Sequence, residues 1–169
     1  DICKNDISSP EYADAYGEMK RSKWYRELAG EQWENGSWGR FHSQDSKAPA
    51  RQKFPTTESA LIRAREIGLS KDDAMIGKCI GLMERYVRGE ETWTDHIEKH
   101  KDNGKGHMFC RPFMTAANIN IFDPENPAIK PLRDVVVETL EIAFATGCFD
   151  EQYWEQKVWE YHVPIIAAP

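Results

Sequence analysis

The fold of this chain is decided by residues 56–89, which read TTESALIRAREIGLSKDDAMIGKCIGLMERYVRG. The stretch opens on Thr56–Glu58, two hydroxyls and an acid that suit the amino end of a helix, and Gly68 stands where that helix should stop. A second run with helical apolar spacing begins after Ser70 and continues to Gly89. Two helices joined by so short a link form an antiparallel hairpin.

Helix signals continue on both sides of this hairpin. Ser9–Glu11 predicts the start of a helix that runs to about Gly30, because a hydroxyl precedes a first-turn proline and an acid. The apolar run from Met108 to Ile121 predicts another helix, and residues 131–146 predict a third that stops at Gly147. No alternating strand pattern is present, so we expect an all-α fold of antiparallel helical hairpins.

A final helix is predicted to begin at Asp150, which suits its first position as a cap. Its apolar side chains are Tyr153, Trp154, Val158, Trp159 and Tyr161. The chain has 169 residues, so we expect a single all-helical domain over residues 1–169. The missing initial methionine and the uncharged end favour a domain cut from a longer chain.

Charge and hydropathy exclude two classes of partner. The net charge of −6 and the pI near 5.4 repel phosphate backbones, so we expect no nucleic acid, and the basic residues Lys47, Arg51 and Lys53 are interpreted as a solvated loop. No apolar stretch approaches the ~20 residues of a membrane span. The four cysteines are widely spaced, which favours reduced thiols and a cytoplasmic protein.

Residues 32–38 read QWENGSW and fit the pattern Q-x-x-x-G-x-W. The motif resembles the QW repeat of the terpenoid cyclase and protein prenyltransferase superfamily, and the resemblance covers roughly the stretch from Trp24 to Gly89. It implies an α/α toroid, of which this length holds at most half, and an apolar or isoprenoid-like ligand. On physical grounds the glutamine amide bonds backbone at a helix end, the glycine permits a tight turn, and the tryptophan covers the glutamine.

The chain departs from that superfamily at its catalytic motifs. The D-x-D-D motif of squalene-type cyclases is missing, and the adjacent pair Asp72 and Asp73 is better explained as a helix cap. No match to the zinc-binding cysteine motif of the prenyltransferases is present either. We therefore assign no cyclase activity, and whether the protein is an enzyme stays open.

A concave aromatic face is predicted for ligand binding. Its residues are Trp38, Phe41, His42, Phe109, Arg111, Phe113 and Asn118. Arg111 stands inside an apolar run, where a charge is costly unless it is paired or faces a cavity; pairing with an acid at a helix start is the simpler interpretation. No catalytic residue is assigned, and the candidates for one are His107, Cys110 and Arg111.

Metal binding is a weaker prediction. Its candidate ligands are His96, His100, His107 and Cys110. They offer a borderline-soft metal three or four ligands, so zinc is the cofactor to consider, although a solvated polar segment with no cofactor is the simpler interpretation.

Three functions follow from these patterns. The first is a prenyltransferase- or cyclase-like helical domain that binds an apolar small molecule. The alternative is a non-catalytic interaction module that pairs with another protein or with a second copy, since aromatic side chains are enriched in interfaces. The third is a zinc-dependent hydrolase.

Overall fold

The computed structural model describes residues 9–42, 53–92 and 104–149, with the backbone alone described for residues 104–110. Over these ranges the protein is six helices with no strand, which confirms the all-α prediction. The helices are α1 (Pro10–Arg21), α2 (Lys23–Glu31), α3 (Thr57–Glu66), α4 (Ala74–Val87), α5 (Gly104–Phe122) and α6 (Lys130–Ala143). The helix predicted to begin at Asp150 lies outside the described residues, as do Lys47 and Arg51.

The chain forms two compact units, Asp1–Cys79 and Ile80–Pro169, and the division falls within α4. Each unit buries its own set of apolar side chains. In the first unit these are Leu28, Trp38, Phe41, Phe54, Ala60, Leu61, Ala64, Leu69, Met75, Ile76 and Cys79. In the second they are Ile80, Leu82, Met83, Ala116, Ile119, Ile129, Leu132 and Ala143.

The helix predicted from Ser9 to about Gly30 is divided in two, so the prediction of one continuous helix is wrong. Ser22 adopts an extended conformation and caps α2 by accepting a hydrogen bond from the backbone N–H of Tyr25. Ser9 does the same for α1 with the N–H of Tyr12. Both are favourable N-cap serines, and the second one interrupts the helical path.

The start of α3 is held by the chain that precedes it. Thr56 and Ser59 form a reciprocal capping box at the helix start that the sequence predicts. The backbone N–H groups of Thr57 and Glu58 donate to the carbonyls of Arg40 and Phe41, at 2.7 and 3.1 Å. These are first-turn amides, which a helix cannot satisfy internally, so residues 40–41 are fixed against α3.

The second unit contains the α5–α6 hairpin. Residues 123–129 connect the two helices, and the buried Asn126 organises the connection. Its side-chain N–H groups donate to the carboxylates of Asp123 and Glu84, at 3.0 and 2.8 Å, and its side-chain oxygen accepts from the Ala128 N–H at 3.0 Å. One amide therefore anchors the turn to α4.

Candidate functional site

In the turn at residues 32–38, the glutamine and the glycine have the roles predicted for them. The Gln32 side-chain amide donates to the carbonyls of Gly36 and Met75, at 3.0 and 2.8 Å. Met75 lies in the first turn of α4, so one side chain joins the end of α2 to the start of α4. The amide is satisfied by protein carbonyls, which makes it a structural clamp.

Gly36 is required in this turn. Its φ is +98°, and a Cβ built there would lie 2.7 Å from the backbone carbonyl oxygen of Lys78. Real Cβ atoms do not approach backbone that closely, so any larger residue must displace α4. The turn and the helix are in direct backbone contact at this point.

Trp38 is completely buried and closes the same turn. Its indole N–H donates to the carbonyl of Leu28 at 2.7 Å, and its backbone N–H donates to the Thr57 hydroxyl at 3.1 Å. Leu28 lies in the last turn of α2, where carbonyls have no partner within the helix. The tryptophan thus caps α2 from the side while it fills the core of the first unit.

Two other predicted ligand-binding residues of this region, Phe41 and His42, differ in burial. Phe41 is buried in the core of the first unit. His42 is exposed, and its ring Nδ1 lies within hydrogen-bond distance of the Glu58 carboxylate in the first turn of α3. Their role as ligand contacts stays a prediction.

An open apolar groove lies between α5 and α6. Its volume is about 270 Å³. The described residues that line it are Phe113, Ala116, Ala117, Asn120, Ile129, Leu132, Arg133, Val136 and Val137. Seven of these nine are apolar, and Asn120 and Arg133 are the polar members of the set.

Helical periodicity explains why these residues meet. On α5 the lining positions 113, 116, 117 and 120 recur at i, i+3, i+4 and i+7, which is one face of a helix. Arg111 is two positions before Phe113 and Asn118 is five positions after it, and neither offset returns to that face. Phe113 is therefore the one predicted ligand-binding residue among the described lining residues.

Arg111 and Asn118 are half-buried elsewhere on α5. The Asn118 amide donates to the Met114 carbonyl at 2.9 Å, one turn back along the helix, and the carbonyl of Arg111 accepts from the Thr115 hydroxyl at 2.8 Å. Phe109, His107 and Cys110 lie on the first turns of α5, where the backbone alone is described. Their predicted roles stay predictions.

The predicted metal ligands fall where side chains are not described. His96 and His100 lie outside the described residues, and His107 and Cys110 belong to the backbone-only part of α5. Among the side chains that the structure does describe, there is no group of three or more candidate ligands. The zinc prediction is thus neither supported nor contradicted.

A buried carboxylate is the feature that sequence reasoning missed. Asp73 directly precedes α4, but its side chain points to α1, where it accepts a hydrogen bond from the Tyr16 hydroxyl and lies 3.1 Å from the Lys20 ammonium. Lys20 also lies over the Tyr16 ring, 4.8 Å from its centroid. The side chain of Asp73 is fully buried, and burial raises the pKa of this carboxyl above its ordinary value.

Asp73 therefore anchors α1 rather than capping α4 through its side chain. The interpretation of Asp73 as a capping side chain is wrong because Tyr16 and Lys20 offer it a donor and a charge in a buried place. A signal was present in the sequence, since Tyr12, Tyr16 and Lys20 recur at four-residue spacing on α1 and mark one face of that helix.

Comparison with known proteins identifies no relative of this chain. The sequence matches no protein-family model, and searches of curated proteins and of solved structures give no significant match. The resemblance of residues 32–38 to the QW repeat of the cyclase and prenyltransferase superfamily stays a prediction. Within the described residues, none of the helices is long and apolar enough to cross a membrane.

Proposed function

We propose that this chain is a helical-hairpin domain related to the α/α toroids of terpenoid cyclases and prenyltransferases, and that it binds an apolar or isoprenoid-like small molecule in the α5–α6 groove. The observation that carries the proposal is the groove itself, an apolar concavity with two polar residues. Binding sites for small molecules have this composition, with an apolar lining and a few polar groups that fix orientation.

The size of the groove limits its ligand. Small-molecule pockets are commonly about 300–1,000 Å³, and this groove, at about 270 Å³, lies just below that range. It suits a small apolar molecule or one end of a longer chain. Arg133 supplies a hydrogen-bond donor beside the apolar lining, and its guanidinium already donates to the Pro124 carbonyl. A ligand with a polar end would therefore be oriented toward Arg133.

The proposal is limited to binding. The described lining residues include no carboxylate, imidazole or thiol that would act as an acid, base or nucleophile. The candidates for a catalytic role stay His107, Cys110 and Arg111. Binding in the groove, as proposed, does not require them.

Titration with farnesol and with Nile red, an apolar fluorescent dye, tests the proposal. Ala117 lines the groove and is exposed, so Ala117→Leu should fill it and weaken saturable uptake of either probe at least about tenfold, with unchanged helical circular dichroism. Ala15→Leu is the matched control, because Ala15 is exposed within α1.

Two results would overturn it. One is the absence of saturable uptake, and the other is equal uptake by the Ala117 and Ala15 variants. Arg111→Ala separates the groove from the aromatic face predicted from sequence, since Arg111 is not among the described groove residues. The groove predicts unchanged uptake by this variant, whereas the predicted face requires a loss.

The second candidate function, an interaction module, is favoured by a different observation. Trp24 and Trp33 are 52% and 53% exposed in the first unit, and exposed tryptophans are typical of interface anchors. Light scattering over a range of concentrations tests this function. Association that is abolished by Trp33→Ser supports a module of this kind, and a monomer at all concentrations counts against self-pairing.

A further inference from the structure

The turn at residues 32–38 contains two neighbouring residues that can react with each other. Asn35 is exposed, and Gly36 follows it directly. In a flexible chain, the backbone nitrogen that follows an asparagine attacks the carbonyl carbon of the asparagine side chain. A glycine in the second position favours this attack, because it has no Cβ to obstruct the approach. By sequence, Asn35 and Gly36 therefore form a site of spontaneous deamidation.

The reaction needs only water as a co-reactant. The Gly36 N–H loses its proton to solvent, and the nitrogen forms a bond to the side-chain carbonyl carbon of Asn35. The bond from that carbon to the amide nitrogen breaks, and the nitrogen takes up a proton and leaves as ammonia. Water then opens the cyclic imide on either side and gives aspartate or isoaspartate. In isoaspartate the backbone runs through the side chain and is longer by a methylene group.

In the folded turn, the atoms that would react are held by hydrogen bonds. The Gly36 N–H donates to the Trp33 carbonyl at 3.0 Å, so solvent removes its proton only when that bond opens. The side-chain oxygen of Asn35 accepts from the backbone N–H and the hydroxyl of Ser37, at 3.1 and 2.8 Å. These two bonds hold the side-chain amide in place. The closed turn therefore restrains both the nucleophile and the carbon that it attacks.

Gly36 is also fixed by its surroundings. It is buried against α4, where an added Cβ would lie 2.7 Å from the carbonyl oxygen of Lys78. Its own carbonyl accepts from the Gln32 side chain at 3.0 Å. Closing the imide ring requires the peptide group that precedes Gly36 to rotate, and these contacts oppose that rotation.

We propose that Asn35 and Gly36 form a latent self-modification site, which is protected in the closed turn and reacts once the turn opens. The rate of modification then follows the population of the open turn. The isoaspartate product does not fit the closed turn, because its longer backbone displaces Gly36 from the narrow space beside Lys78. Modification therefore makes the opening irreversible. The inference does not depend on a ligand in the groove, and a failure of the binding proposal leaves it intact.

Peptide mapping by mass spectrometry tests the protection. The unaltered chain is incubated at one pH and temperature, either native or unfolded in guanidinium chloride, and aspartate and isoaspartate at position 35 are measured over time. We expect position 35 to convert at least about tenfold more slowly in the native chain. Asn103 is the other asparagine followed by glycine, and its conversion in the unfolded chain is the positive control.

Two results of this comparison would overturn the proposal. One is an equal rate at position 35 in the native and unfolded chains, which would mean that the closed turn gives no protection. The other is an unfolded chain in which Asn103 converts and Asn35 does not. Neither result depends on the folding of a variant.

Trp38→Phe tests whether opening of the turn limits the reaction. Phenylalanine cannot donate to the Leu28 carbonyl, so the turn opens more often and position 35 should convert at least about fivefold faster in the native variant. Trp24→Phe is the matched control, because Trp24 is 52% exposed on α2, and it should leave the rate unchanged. Equal rates in the two variants would contradict the proposal.

The modified protein provides a further test. The isoaspartate form, separated after incubation, should unfold at a lower urea concentration than the unaltered chain. Asn35→Asp adds the negative charge without the methylene group and keeps an acceptor for Ser37, so it should unfold close to the unaltered chain. An isoaspartate form as stable as the unaltered chain would show that the modified turn closes again, and the proposal would be wrong.

Discussion

The turn at residues 32–38 and the groove between α5 and α6 differ in how their polar groups are used. In the turn, the side-chain N–H donors of Gln32 and Trp38 meet carbonyls of the same unit, and a glycine lies against the backbone of α4. In the groove, apolar side chains face open space, and among the described lining residues only Asn120 and Arg133 are polar. The motif at residues 32–38 therefore stabilises the fold, while the candidate binding surface comes from residues that carry no motif.

This difference predicts where substitutions affect stability and where they affect binding. Changes in the turn should lower the free energy of unfolding, because they break satisfied contacts in a close-packed region. Changes in the groove should alter uptake of apolar probes and leave stability nearly constant. Three variants test this contrast, in order of decreasing effect, and a fourth tests the buried carboxylate of Asp73.

Gly36→Ala should have the largest effect. The added Cβ meets the Lys78 carbonyl and the residue must hold a φ of +98°, so we expect a loss of about 3 kcal/mol or more in the free energy of unfolding. Urea denaturation measures it. Gly68→Ala is the control: Gly68 also has a positive φ, of +77°, but nothing lies within 4 Å of its added Cβ, so about 1 kcal/mol is expected. Equal losses would show that close contact with α4 is unimportant.

Trp38→Phe should come next. Phenylalanine fills most of the space but leaves the Leu28 carbonyl without the indole N–H, so we expect a loss of about 2 kcal/mol by urea denaturation. Trp24→Phe, at a half-exposed position on α2, should change stability by less than about 0.5 kcal/mol. If the two variants were equally stable, Trp38 would not be the closing residue of the turn.

Asn126→Ala tests the support of the groove. The buried amide links the α5–α6 connection to Glu84 of α4, so its removal should cost about 1–2 kcal/mol and should also weaken uptake of apolar probes. Asn120→Ala, an exposed position on the groove, should leave thermal stability within about 0.5 kcal/mol of the unaltered chain. Normal uptake and normal stability in Asn126→Ala would show that the groove does not depend on the hydrogen bonds of Asn126.

Asp73→Asn should have the smallest effect at neutral pH, because asparagine still accepts the hydrogen bond from Tyr16. Burial raises the pKa of Asp73 above the ordinary value of 3.8, so the folded chain holds this proton more tightly than the unfolded chain. Stability from this group is present below that value and is lost as pH rises through the folded pKa. Relative to the unaltered chain, Asp73→Asn should therefore gain stability as the pH rises from below the ordinary pKa of an aspartate through the raised pKa of Asp73.

Denaturant unfolding of both proteins across that pH range measures the difference. A gain by the unaltered chain as pH rises would mean that the Lys20 ammonium outweighs the effect of burial. Asp73→Ala, which removes the acceptor from Tyr16, should lose about 1–3 kcal/mol.

The sequence predicts most helices because their end signals are local. The capping hydroxyls of Ser9 and Thr56 and the stop at Gly68 act within a few residues of the helix that they bound. The break at Ser22 is of the same kind, but a continuous apolar pattern on either side of it favoured a single helix. Capping side chains therefore set these helix boundaries, and the apolar pattern alone fails to predict the boundary at Ser22.

The candidate site was less accessible to sequence reasoning. The groove depends on which face of α5 meets α6. The sequence predicts Phe113 as a ligand contact because of its place in an apolar run. Ala116 and Val136 also line the groove, but small or aliphatic side chains give no sign of a binding role in the sequence. The i, i+3, i+4, i+7 spacing on α5 was the available signal. The partners of Asp73 are separated from it by more than 50 residues, and contacts at that distance follow from packing, not from a local pattern.

The contact between residues 40–41 and the start of α3 has a consequence for protein engineering. These two backbone hydrogen bonds close the intervening segment at both ends, and closing a segment of chain costs conformational entropy. That entropy grows with the logarithm of length, and doubling the segment should cost about 0.6 kcal/mol. An epitope tag or a fluorescent reporter inserted between residues 42 and 53 should therefore cost little stability as long as the two hydrogen bonds to the start of α3 are kept.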